Sequence, residues 1–188
     1  AARRLGLEPD RVRVVIDMDT ATTPWTVTSG SYSSRFAPLV TSAVVAAVDR
    51  LAETIRAAAT VLLGLDGDAA ERLELVDGSV RDPESGRDCL FRHAAGVVHW
   101  DPGALPAGTP ARLATEGEFV PPGAVAATAD DRINSSLCYG VVAEMVGVRI
   151  DPDTLEVVLD RVATVHDAGT VLDPVLLEGQ VLGALVHG

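Results

Sequence analysis

The stretch from Pro38 to Leu63, PLVTSAVVAAVDRLAETIRAAATVLL, constrains the fold of this chain more than any other. It reads as one long, alanine-rich helix, with Pro38 suited to its first turn and Gly64 to its end. The run before it is TSGSYSSR, residues 28–35, which sets a glycine among serines at the mouth of the helix. Hydroxyls in that place can cap the helix, because they accept from the N–H groups that a first turn leaves without partners. The same loop also suits an anionic ligand, since free N–H groups, hydroxyls and the positive helix end all favour phosphate-like groups. Local chemistry leaves both readings open.

On either side of this helix the signals alternate between strand and helix. Residues 1–8 look like the end of a helix, closed by Gly6 and followed by Pro9. RVRVVIDMDT, residues 11–20, places Val12, Val14 and Ile16 at every second position, which predicts a strand. ERLELVDGSVRD predicts a short hairpin turning at Asp77-Gly78. Residues 82–136 carry most of the prolines and only weak strand signals, in GVVHW and VAATA, so they read as an irregular segment or insertion. In YGVVAEMVGVRIDPDTLEVVLDRVATVHDAG, two apolar runs flank the Asp- and Pro-containing turn IDPDTLE and predict a long antiparallel hairpin. DPVLLEGQVLGALVHG then predicts a helix entered through Asp173, with Pro174 at its first position. The expected fold class is α+β.

Composition excludes several functions. The chain has 188 residues and is 47% hydrophobic, enough for a core in one domain or for a piece of something larger. Net charge is −12, and all 15 basic residues are arginine, scattered without clusters. Such a chain is a poor match for nucleic acid or an anionic membrane. The cysteines, Cys89 and Cys138, lie far apart and form no zinc or iron–sulfur spacing. No apolar run approaches a membrane span, and AARRLGLEPDRV lacks the hydrophobic region of a signal peptide. A soluble cytoplasmic protein is expected.

Few residue groups point to chemistry. His166-Asp167 looks like a catalytic pair, but neighbours on a strand face opposite ways, so Asp167 is expected to serve the turn before Gly169. His93, His99 and His187 are scattered, and Asp17, Asp19 and Asp49 form no paired acid and base. EGQVLG, residues 178–183, is different. Gly179 and Gly183, four apart, share a helix face and leave room for a close approach by backbone, another helix or a ligand. Gln180 beside that gap can present both a donor and an acceptor, and helix packing explains the glycines equally well.

Taken in order, LGLEPDRVRVVIDMDTATTP, SGSYSSR with its alanine-rich helix, and the run from YGVVAEMVGV to EGQVLGALVHG resemble the large subunit of molybdenum hydroxylases. This is the family of xanthine dehydrogenase, aldehyde oxidase and carbon monoxide dehydrogenase. The resemblance covers roughly residues 1–80 and 138–188. It implies part of a molybdopterin-binding domain, with a cofactor loop and helix in 1–80, an irregular segment or insertion in 82–136, and a hairpin with the glutamine-bearing helix in 138–188. It implies that Thr28, Gly30, Ser31, Tyr32, Ser33 and Ser34 contact a molybdenum–molybdopterin cofactor, the cytosine dinucleotide form being one it allows. Gln180 would approach the molybdenum centre. Partners implied are an FAD-binding medium subunit, a [2Fe–2S] small subunit and the remainder of the molybdenum subunit. The substrate implied is a small aldehyde, purine or aromatic heterocycle.

Where the family has Asn-Pro, this chain has Asp173-Pro174, and aspartate caps a helix as well. The family's catalytic glutamate lies in a motif beyond Gly188. No catalytic residue is therefore expected in this chain, and the isolated chain is expected to be inactive. The alternative is a non-catalytic binding or assembly module that keeps the fold without cofactor.

Overall fold

A computed structural model describes residues 1–15, 19, 21, 36–134 and 138–187. The chain divides into two compact units, Ala1–Leu137 and Cys138–Gly188.

Unit 1 is built around the long helix. A short helix α1 (Ala2–Leu5) ends at Gly6, and a 3-10 turn follows at Pro9–Arg11. Residues Phe36–Val40 form a π-helical turn that runs straight into α2 (Thr41–Leu63), which closes at Gly64. Val48, Ala52, Ile55, Ala59 and Leu63 are buried at spacings of three and four, so they form one stripe along α2. A 3-10 turn at Gly67–Arg72 leads to β1 (Glu74–Val76), β2 (Ser79–Arg81) and β3 (Asp88–Leu90), an antiparallel sheet in that order. Asp77 (φ 48°) and Gly78 (φ 74°) both lie in the left-handed region, the geometry of the two-residue hairpin turn expected there.

α3 (Phe91–Trp100) packs on α2, and the main core joins Ile55, Ala58, Ala59 and Leu63 to Leu73, Val80, Ala94, Val97 and Val98. Ala58, Ala59 and Ala94 have no exposed surface, so small side chains let the two helices approach closely. With aromatics at only 4%, this core is filled by aliphatic groups. A second cluster, Leu5, Val48 and Ala52, seats α1 against α2.

Three sequence readings change here. GVVHW is the end of helix α3 and not a strand, because Ala94, Val97 and Val98 fall on one helical face sealed against the core. A short apolar run has no periodicity of its own to separate helix from strand. Val12 to Val15 belong to no regular element, with Val14 76% exposed, and the rest of the expected strand lies largely outside the described residues. Of VAATA, only Val125 pairs, in a single antiparallel bridge to Asn134.

The β2–β3 connection is organised by Asp82, whose side chain has no exposed surface. It accepts from Arg72 Nε at 2.9 Å, from the Ser85 hydroxyl at 2.6 Å and from the Glu84 amide at 3.3 Å. Its own amide donates to the Arg87 carbonyl at 2.8 Å. The hydrogen bond from Arg72, then that from Ser85, holds the Asp82 carboxyl well below the usual carboxylate range.

Unit 2 is the hairpin and the last helix. β4 (Val141–Ile150) pairs antiparallel with β5 (Val157–Asp167). The register shifts between Gly147, opposite Arg161, and Val148, opposite Leu159, which leaves Asp160 as the extra residue of a bulge. At the turn, Asp151 Oδ1 accepts from the Asp153 amide at 2.8 Å and the Thr154 amide at 2.9 Å. α4 (Pro174–His187) begins as expected: Asp173 Oδ1 accepts from the amides of Val175 and Leu176, both at 3.0 Å. No residue of β4, β5 or α4 is buried.

Candidate cofactor site

Thr28, Gly30, Ser31, Tyr32, Ser33 and Ser34 lie outside the described residues. What is described is the segment that follows them in sequence, from Phe36 onward. The π-helical turn Phe36–Val40 contains Pro38, and the Thr41 hydroxyl donates to the Ala37 carbonyl across it. A π turn widens the backbone locally, and such turns recur at functional sites.

Gln180 stands exposed on α4. A Cβ added at Gly179 or at Gly183 would meet no atom within 4 Å, so the helix is open on that side. Within unit 2, therefore, the glycines serve no helix contact. The amide offers both donor and acceptor to whatever approaches that face.

The other candidates resolve into structural roles. Asp167 Oδ1 accepts from the Gly169 amide at 3.0 Å, the turn contact expected of it. His166 Nε2 lies 2.8 Å from the Thr164 hydroxyl, two residues back on the same face of β5, and stands opposite Val142. Asp49 pairs with Arg4 at 2.8 Å on the surface, and Asp19 accepts from the Ala21 amide at 2.9 Å. Asp17 lies outside the described residues. His93 is exposed on α3, His99 packs edge-on to Trp100, and His187 ends α4.

Among the described residues, no group of three His, Cys, Asp or Glu could hold a metal ion. Cys89 and Cys138 are free thiols, and burial, with Asp88 beside it, pushes the Cys89 thiol up. No helix of the described residues is long and apolar enough to cross a membrane. A groove of about 550 Å³ runs between α2 and residues 107–116. Its rim mixes Arg50 and Arg56 with Glu53, Glu71 and Glu116, a balance that selects no ligand charge.

The family model of the molybdopterin cofactor-binding domain matches residues 1–188. The chain belongs to that family. The resemblance carried by SGSYSSR and EGQVLG is borne out, and the α+β architecture is that of a fragment of a molybdopterin-binding domain. A crystal structure of quinoline 2-oxidoreductase from Pseudomonas putida 86 is similar to this chain, with a TM-score of 0.53 and 22% identity. The match covers 82% of this molybdopterin-binding chain and 18% of that one, so the chain spans about a fifth of its length. Comparison with curated proteins gave no match.

The Asp82 cluster and the contacts of residues 115–117 on α2 were not legible in the sequence. The DPESG run, residues 82–86, carried the one available signal, a turn whose aspartate is able to bond its own backbone.

Proposed function

We propose that this chain is the portion of a molybdenum hydroxylase subunit that binds and orients the molybdopterin cofactor. Its reaction is the oxidative hydroxylation of a small aldehyde, purine or aromatic heterocycle. The observation that carries the reading is the family match over the whole chain. The described residues fit such a group: Gln180 is exposed, and the open backbone at Gly179 and Gly183 allows a large ligand to come close.

When bound, the cofactor supplies two-electron redox chemistry in which water provides the oxygen. The residues of this chain bind and orient. Thr28, Gly30 and Ser31 to Ser34 would hold the cofactor with N–H groups and hydroxyls, which suit a pterin and a phosphate dense in acceptors. Gln180 would offer its amide to the bound cofactor. The reading assigns no catalytic residue to this chain. The [2Fe–2S] clusters and FAD on a small and a medium subunit of a cytoplasmic complex would supply the path for the electrons. The rest of the molybdenum subunit covers the aliphatic faces of β4 and β5, where Met145 is 73% and Val165 71% exposed.

Gly30→Val in the full-length protein is the test. The added side chain fills space the ligand needs, so molybdopterin content should fall while the circular dichroism of the protein stays unchanged. A variant that retains its full molybdopterin contradicts the reading.

A further inference from the structure

The first turns of α2 are held from outside the core. Residues 41–47 include no buried residue, and the first core position of the helix is Val48. Residues 115–117, distant in sequence, lie across this stretch. The Thr115 hydroxyl donates to the Ala47 carbonyl at 2.8 Å. Arg50 Nη1 donates back to the Glu116 carbonyl at 2.7 Å. Gly117 rests against the Ala43 carbonyl and the Ala47 nitrogen, and a Cβ there would come within 2.7 Å of that nitrogen. Both neighbours are helix backbone and cannot swing aside, so only glycine fits. The exposed ion pair Arg4–Asp49 adds little, because solvent screens it.

We propose that residues 115–117 form a strap that positions the cofactor loop by holding the start of α2. This rests on the molybdopterin reading above. Residues 28–34 precede the π-helical turn and α2 in sequence, so what steadies these turns bears on that segment. A helix start without core contacts opens easily unless something else holds it. If it opens, the ligand must order the helix start as well as the loop, and that ordering cost is subtracted from the affinity. Thr115 and Gly117 are thus positioning residues, with Arg50 of α2 reaching back to them: they hold the helix that follows residues 28–34 in sequence.

The test compares the full-length protein with Thr115→Val, Thr115→Ser and Gly117→Val by two measurements. One is hydrogen exchange of the amides of residues 43–47 against those of 55–63; the other is molybdopterin per chain. Thr115→Val should speed exchange at 43–47 about tenfold, the worth of one net hydrogen bond, and leave 55–63 unchanged. Molybdopterin content should fall several-fold with it. Thr115→Ser keeps the hydroxyl and should restore both. Gly117→Val should act in the same direction and more strongly; if it also exposes 55–63, the Thr115 pair decides. Unchanged exchange at 43–47 in Thr115→Val overturns the strap. Faster exchange with full molybdopterin overturns its coupling to the cofactor while the functional reading stands. Wild-type protein without molybdopterin overturns the functional reading and the coupling together.

Discussion

At the scale of single residues, local roles were legible and buried ones were not. Asp167 and Asp173 each bond an amide two residues on, so their neighbours in sequence were enough to place them. Asp82 draws on Arg72 and Ser85, and its burial is decided by the sheet around it. Its carboxyl is held down in the folded state, first by the Arg72 hydrogen bond. A depressed carboxylate stabilises the fold fully above its ordinary value of 3.8, and that stabilisation is lost as pH falls below it. Asp82→Asn should therefore lower the melting temperature of the domain near neutral pH. The gap between variant and wild type should begin to narrow below about pH 4 and keep narrowing as the pH falls further. A gap that stays constant into acid would contradict the assignment.

Gln180 belongs to the same scale. A neutral hydrogen bond is worth about 0.5–1.5 kcal/mol net, so Gln180→Ala in the full-length enzyme should keep most of its molybdenum. Its turnover should drop about tenfold. A variant with unchanged turnover would return the glycines beside it to helix packing against another part of the protein.

At the scale of elements, length and punctuation decided what could be read. The long helix, the Asp77-Gly78 hairpin and the β4–β5 hairpin carry strong periodicity or turn residues, and each stands where expected. α3 was misread because Gly96, His99 and Trp100 surround a valine pair too short to show a helical period. Only packing on α2 settles it as helix. α4 offers a cleaner check on capping. Asp173→Asn should leave stability within a few tenths of a kcal/mol, since both side chains accept at an N-cap, whereas Asp173→Ala should cost about 1 kcal/mol. Urea unfolding of the full-length protein measures both. An equal loss in the two variants would show that charge, and not the cap bond, holds the helix start.

At the scale of the molecule, unit 2 exposes aliphatic side chains on both faces of its hairpin, among them Val142 and Val146 on one and Met145 and Val165 on the other. The two apolar runs were visible in sequence, but that they leave aliphatic side chains exposed on both faces is a property of the folded ribbon. The 188-residue chain made alone should bind a hydrophobic dye and self-associate, and the full-length protein should do neither. Nor, on the proposed reading that assigns this chain no catalytic base, should the isolated chain turn over a hydroxylase substrate, a positioned base being worth about 10²–10⁴-fold. Molybdenum-dependent dye reduction by that chain would contradict this. The central claim is that this fold holds molybdopterin, and the direct measurement is molybdenum and pterin analysis of the full-length protein purified with its neighbouring subunits. Molybdenum and molybdopterin present in equal amounts and in proportion to the chain are the predicted result; a folded complex containing neither would contradict it.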